Sequence, residues 1–278
     1  AIAKKDDQLG RREGEALWPE QFSKDALLKI KNRSGTTKRM WASIYDQNPV
    51  VEEGGIIDGK WFKVWKSTEP PVLKHIIQSW DTALTAQKQS AYSACTTWGV
   101  FDDDSEISNL ILLSAWRARV EWPELRKMAQ RMATDYRDDN LKVLIKPKPG
   151  RKPHTVLVEA KANGQALVHD LARAGITATP FNPDRYGDKI SRVRLTTDLL
   201  ENGRVWLPGQ PPTFETLRPW AQEFKEQAVS FPASDSRDWV DTMTQMILRI
   251  KASGWVQNTE NPVEETYTNG ASERAAFY

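Results

Sequence analysis

Apolar positions recur along this chain at two spacings, and the elements change where the spacing changes. His75 to Trp80 is a β-rich run ending in Asp81. Tyr92 to Phe101, with Thr96, Thr97, Trp98 and Val100, is a second run, and Ile107 to Trp116 a third. Asp102-Asp103-Asp104-Ser105 is turn chemistry between the last two. Three runs joined by short connections predict an antiparallel meander. Pro123 then suits the first turn of a helix reaching about Asp139, with Leu125, Met128, Ala129 and Met132 on one stripe. Thr155 to Val158 is a short apolar run ending at Glu159, followed by a helix from about Gly164 to Ala174 that Gly175 closes. Ile176–Phe181 reads as a strand, Asp188–Leu200 as a helix closed by Asn202-Gly203, and Val205–Leu207 as a short strand. Helices follow over Phe214–Gln227 and Ser236–Ile250, the last with Val240, Met243, Ile247 and Ile250 as its apolar face. An antiparallel meander followed by alternating strands and helices predicts an α/β domain over residues 73–252: a mixed sheet flanked by helices.

The flanking segments read differently. Ser23 is a plausible N-cap for a helix with Ala26, Leu27 and Ile30 on one face. Residues 46–72 carry Asn48-Pro49, Gly54-Gly55, Asp58-Gly59 and Pro70-Pro71, the punctuation of a linker. Residues 1–45 are too few for a comfortable core of their own, so they are expected to be the remnant of a larger domain. The start at Ala1 rather than Met fits a fragment of something longer or a processed product. Residues 253–278 are polar and aperiodic, and a flexible tail is expected there.

Composition narrows the chemistry. No apolar run approaches the roughly 20 residues of a membrane span. A single cysteine, Cys95, leaves no internal disulfide and no cysteine zinc site, and it reads as a packed core thiol. His75, His154 and His169 are scattered, so a bound metal would have to be held by carboxylates. The net charge of +2 hides an uneven distribution: residues 141–194 hold 11 basic and 4 acidic side chains. Lys142, Lys146, Lys148, Arg151 and Lys152 are its densest part. They are either a solvated loop or a contact for the phosphates of a polyanion. Most of the 12 tryptophans are expected in the core. No phosphate-binding G-x-x-x-x-G-K-[ST] loop, H-E-x-x-H or G-x-S-x-G motif is present.

Three acids stand at telling places. Asp81 ends the first apolar strand, Glu159 ends Val156-Leu157-Val158, and Asp241 lies in the otherwise apolar last helix, three residues after Asp238. Each alone reads equally as an ordinary strand-end or helix-surface residue. A carboxylate at the end of a buried strand is costly unless paired or bound to a cation, and converging carboxylates repel unless a cation sits among them. Hard divalent ions accept such ligands, and two of them about 3.5–4 Å apart serve phosphodiester hydrolysis. Trp116, Arg117 and Arg119 form an aromatic-basic cluster at a strand end that could lie near a substrate.

Ile77-Gln78-Ser79-Trp80-Asp81-Thr82-Ala83, Trp116-Arg117-x-Arg119, Val158-Glu159-x-Lys161-x-x-Gly164, Asp188-Lys189-x-x-Arg192, Gly203-Arg204-Val205 and Asp238-x-x-Asp241 follow one another in this chain. Together they resemble the C-terminal nuclease domain of tailed-bacteriophage terminase large subunits over about residues 72–252. Gly14-Glu15-Ala16-Leu17-Trp18-Pro19-Glu20 and Tyr45-Asp46-Gln47-Asn48-Pro49 resemble the end of the family's packaging ATPase domain and its exit into the linker. The resemblance implies a ribonuclease H-like fold and a metal-dependent endonuclease that cuts concatemeric viral DNA during packaging. It implies two divalent ions, Mg²⁺ or Mn²⁺, with Asp81 bridging both, Glu159 holding one, Asp241 the other, and Asp238 as an accessory ligand. Lys189 and Arg192 match the family's basic motif, and with Lys161, Arg117, Arg119 and the segment containing Lys146, Lys148, Arg151 and Lys152 they are the expected DNA contacts. The implied partners are double-stranded DNA and, in the complete motor, the terminase small subunit and the portal protein; the implied setting is the host bacterial cytoplasm, with no membrane. Rival expectations are another ribonuclease H-like enzyme, of resolvase or transposase type, and a non-catalytic DNA-binding or portal-docking module.

Overall fold

The computed structural model describes residues 2–3, 7, 9–32, 41–45, 55–83, 92–135, 152–233 and 237–256. Helix α1 (Lys24–Asn32) starts where expected, with the Ala26 amide donating to Ser23 Oγ (3.2 Å). It packs on a small core of its own, Ala16, Leu27 and Trp41, with Ile2, Ile30 and Tyr45 against it.

The main body is one seven-stranded sheet. Its strands are β1 (Lys63–Trp65), β2 (His75–Asp81), β3 (Ser93–Asp102), β4 (Ser108–Ala118), β5 (Thr155–Glu159), β6 (Ala178–Phe181) and β7 (Val205–Pro208), in the spatial order β1-β7-β4-β3-β2-β5-β6. The expected meander is present: β2, β3 and β4 pair antiparallel. β5 and β6 then add parallel beyond β2, while β7 and β1 add parallel beyond β4. Central strands covered on both faces read as near-continuous apolar runs, which is why Ile76–Trp80 is buried without a break.

Helices α2 (Trp122–Thr134) and α3 (Ala162–Arg173) cover one face, packing Leu125, Ala129, Met132, Leu167 and Leu171 on Trp80, Cys95, Val156 and Val158. The other face, with Ile77, Ala94, Trp98, Leu110, Leu112 and Leu157, carries α4 (Lys189–Arg194), α5 (Thr197–Glu201), α6 (Pro219–Val229) and α7 (Asp238–Ala252). The two-residue pleat sends Ile77 and Trp80 to opposite faces.

The structure departs from the expected elements in five places. β1 lies inside the segment read as a linker; it pairs with β7, and Trp65 packs edge-on to Phe101 and Trp206 at 5.5 and 5.8 Å. Three residues are too few to show a period. The helix expected over 188–200 is two helices, because the Thr196 and Thr197 hydroxyls donate to the Val193 and Arg194 carbonyls and turn the chain. The helix expected from Phe214 begins at Pro219. Phe214 has φ 57° and sits in a turn closed by the Gly209–Leu217 bridge. Trp255 and Val256, at the start of the segment expected to be a tail, are packed: Trp255 stacks on His75 at 4.6 Å and Val256 joins the core. The helix expected to reach Asp139 also ends early, at Thr134, because Asp135 is extended (φ −152°, ψ 100°); residues 257–278 lie outside the described residues.

Candidate active site

Asp81 and Glu159 reach the same edge by the same geometry. β2 and β5 are parallel neighbours, with Trp80 opposite Val158, so the next residue of each strand, Asp81 and Glu159, stand side by side at the strand ends. The pleat places both on the face that carries Ile77 and Leu157, beneath α7. The chain leaves β5 through a tight turn into α3. A Cβ on Gly164 would lie 1.7 Å from the Glu159 carbonyl oxygen, so only glycine lets the start of α3 approach the end of this strand.

Asp241 is brought in by α7, whose first turns are fixed at three points. Trp239 Nε1 donates to the Trp116 carbonyl at the end of β4 (3.0 Å), Thr96 and Thr242 hydroxyls meet at 3.0 Å over β3, and Gln245 Nε2 donates to the Trp80 carbonyl of β2 (2.9 Å). Gln245 is one turn beyond Asp241, so the bond to Trp80 sets Asp241 over the end of β2. The helix is fixed from below as well, where the Trp239 amide donates to Gln227 Oε1 of α6 (2.7 Å).

The electrostatics show that these groups feel one another. Burial pushes the Asp81 carboxyl well above its ordinary value, and its hydrogen bond to Glu159 and the charges of Glu159 and Asp241 push the same way. Burial also raises Glu159, but its hydrogen bonds with Asp81 and Lys161 and the charges of Lys161 and Arg192 outweigh this and hold it below its ordinary value. Their mutual hydrogen bond thus pushes Asp81 up and Glu159 down. Asp241 is raised by burial against the charge and hydrogen bond of Lys189. Asp238 is raised by burial, chiefly against Arg117.

Cations ring the acids. Lys161 Nζ is 2.7 Å from Glu159, Lys189 Nζ 2.5 Å from Asp241, an Arg192 nitrogen 3.9 Å from Asp241, and an Arg117 nitrogen 4.0 Å from Asp238. The Arg117 guanidinium lies over the rings of Tyr92 (5.1 Å) and Trp239 (4.6 Å), and Arg119 covers Tyr92 from 4.2 Å. Asp81, Glu159, Asp241, Asp238, Lys161, Lys189, Arg192, Arg117 and Arg119 thus gather around one end of the sheet. Lys152 does not. It is exposed and precedes β5, so it lies toward the strand end opposite Glu159. Lys142, Lys146, Lys148 and Arg151 lie outside the described residues.

Among the described residues, no three His, Cys, Asp or Glu side chains stand close enough to hold one ion. Glu159 and Asp241 are instead each held by a lysine. The donor chemistry nevertheless fits a hard divalent cation: the candidate ligands are all oxygen, and burial raises Asp81 and Asp241 above their ordinary values, a cost that a cation would offset. Sequence reasoning missed Tyr92, Thr96, Thr242 and Gln245. Gln245, a polar residue in an apolar stripe one turn after Asp241, was the one visible signal.

Residues 118–249 match the family of the terminase RNaseH-like domain, which bears out the fold and the resemblance read from the motifs. The match spans Glu159, Lys161, Lys189, Arg192, Asp238 and Asp241, and Asp81 precedes it. Crystal structures of the large terminase nuclease from thermophilic phage G20c are similar to this chain. The form with bound magnesium has a TM-score of 0.45 at 12% identity, over 72% of this chain and 99% of that one. The form with bound zinc has a TM-score of 0.43 at 13% identity, over 67% and 93%. No curated protein matches the chain.

Proposed function

With residues 118–249 a terminase RNaseH-like domain, we propose that this chain is the DNA-cutting nuclease of a phage large terminase subunit and works with two divalent ions, Mg²⁺ or Mn²⁺. The observation that carries the reading is the meeting of Asp81 and Glu159 on adjacent parallel strand ends under the first turns of α7, where Asp241 enters. Asp81, flanked by the other two acids, would be shared between the ions, with Glu159 on one, Asp241 on the other and Asp238 in support. Such ions supply Lewis acidity and an activated water. The protein orients the carboxylates by the β2–β5 register and by the Gln245–Trp80 bond. Lys161, Lys189, Arg192, Arg117 and Arg119 would hold the phosphates of duplex DNA. Partnership with a small subunit and a portal, and action in the host cytoplasm, belong to the same proposal. So does the division into an ATPase remnant (1–45), a linker (46–72) whose later part adds β1 to the sheet, the nuclease (73–252) and a tail (253–278) whose first residues pack on it; the separate core around Ala16, Leu27 and Trp41 supports its first unit.

The test is plasmid cleavage. The chain is expected to nick or linearise plasmid DNA with Mg²⁺ or Mn²⁺, to stop with a chelator, and to lose activity in Asp81→Ala with the fold retained. Full activity in that variant sinks the assignment. Binding of duplex without cleavage in any divalent metal would favour a non-catalytic module, the reading suggested by the lysines on Glu159 and Asp241.

A further inference from the structure

Lys161 and Lys189 sit on the two carboxylates that flank Asp81, and their placement asks for an explanation. Lys161 has a side chain 72% exposed, yet its ammonium folds back 2.7 Å onto Glu159, whose side chain is only 7% exposed. An exposed lysine gives up rotamer freedom for such a contact and normally gains little from it. Lys189 is the first residue of α4, a helix end whose free amides favour an anion rather than a cation. Its ammonium is there because Asp241 is 2.5 Å away. The two lysines hold different acids of one cluster, and the field of all three acids reaches Lys161. With Arg192 beside Asp241, three cationic side chains face three carboxylates. Asp81, between them, is hydrogen-bonded to Glu159.

We propose that Lys161 and Lys189 are internal counter-ions, which hold Glu159 and Asp241 in the resting protein and give them up when a divalent ion binds. This rests on the nuclease reading. An ammonium cannot stay on carboxylate oxygens that a divalent cation takes, because like charges at such distances repel strongly in a half-buried site. Lys161 has an exposed stem free to swing out. The released ammonium groups then face the place where DNA phosphates would lie, so metal binding and phosphate binding strengthen each other by the same factor.

The experiment titrates Mn²⁺ calorimetrically into the DNA-free protein, comparing wild type with Lys161→Met, Lys189→Met and Lys189→Arg. Removing a counter-ion is expected to tighten Mn²⁺ binding by about two- to tenfold in each Met variant. Lys189→Arg, which keeps the charge, is expected to stay within about twofold of wild type. A crystal soaked in Mn²⁺ should show both ammonium groups withdrawn from Glu159 and Asp241. Because the Lys161 side chain is exposed, Lys161→Met carries the test if Lys189→Met does not fold. Unchanged or weaker binding in the Met variants overturns the proposal, as do lysines that keep their carboxylate contacts beside a bound ion. If the wild type still cuts plasmid DNA, only the counter-ion role falls. If it neither binds Mn²⁺ nor cuts, the nuclease reading falls with it.

Discussion

At Asp81, burial and two neighbouring acids act on one carboxyl. Its folded value lies well above the ordinary 3.8. The stability tied to its proton is therefore fully present below about pH 3.8 and is lost as pH rises through the folded value. Asp81→Asn keeps the shape of the protonated acid, so the variant should melt higher than the metal-free wild type at pH 8. For a domain of this size the gain is about 2–4 °C for each kcal/mol of relieved repulsion. The difference should shrink toward pH 4. Thermal melts across that range in chelator check it, and a gain that does not depend on pH would mean that repulsion is not the cause. The same site makes a second prediction: Mn²⁺ should raise the melting temperature of the wild type by mass action and leave Asp81→Asn nearly unmoved. Cys95 illustrates the contrasting case. Burial pushes its thiol well up, and it packs among Trp80, Val156 and Val158 as an inert group.

At the scale of elements, the site depends on two junctions: the turn from β5 into α3 and the seat of α7 on the sheet. Gly164→Ala forces a methyl against the Glu159 carbonyl. The strain should cost about 1–3 kcal/mol, and the displaced Glu159 should lower the cleavage rate by roughly 100-fold. Melting and single-turnover cleavage measure the two effects separately, and a variant with normal rate would show that the turn does not position Glu159. This junction also shows what was legible in the sequence. Val158-Glu159-x-Lys161-x-x-Gly164 could be read as strand, acid and helix start, but not the contact that requires the glycine. β2 to β5 were legible because strands covered on both faces spell apolar runs. β1 was not, since its three residues are held by pairing with β7, 143 positions downstream at Lys63 and Trp206. Asp81 and Glu159 could be named from their places at strand ends, and Asp241 as an acid in an otherwise apolar helix. The Thr96–Thr242 and Gln245–Trp80 bonds that seat α7 join residues 146 and 165 positions apart, a separation at which local pattern carries no information.

Over the whole molecule, a net charge of +2 cannot by itself hold a polyanion, so DNA binding must come from local concentrations of cations. Two are available. One is the ring at the carboxylate end of the sheet, where Arg119 and Lys161 are the exposed members. The other is Lys142, Lys146, Lys148, Arg151 and Lys152, of which Lys152 is described and lies toward the start of β5, the strand end opposite Glu159. Each phosphate neutralised contributes about −0.9 to the slope of log K against log salt. Measured in chelator, so that the duplex is not cut, Arg119→Gln with Lys161→Gln should therefore reduce the slope by about 2 units. Changing all five residues of the basic segment to Ser or Gln should reduce it by roughly 2–3 units, if two or three of them reach phosphates at once. The two losses should add, because Lys152 and Lys161 lie toward opposite ends of β5. The segment variant should also cut at the wild-type rate once enzyme is in excess, since no ligand of the site has changed. A slope unaltered by the segment variant would make those five residues a solvated loop and leave the ring around Asp81, Glu159 and Asp241 as the DNA contact.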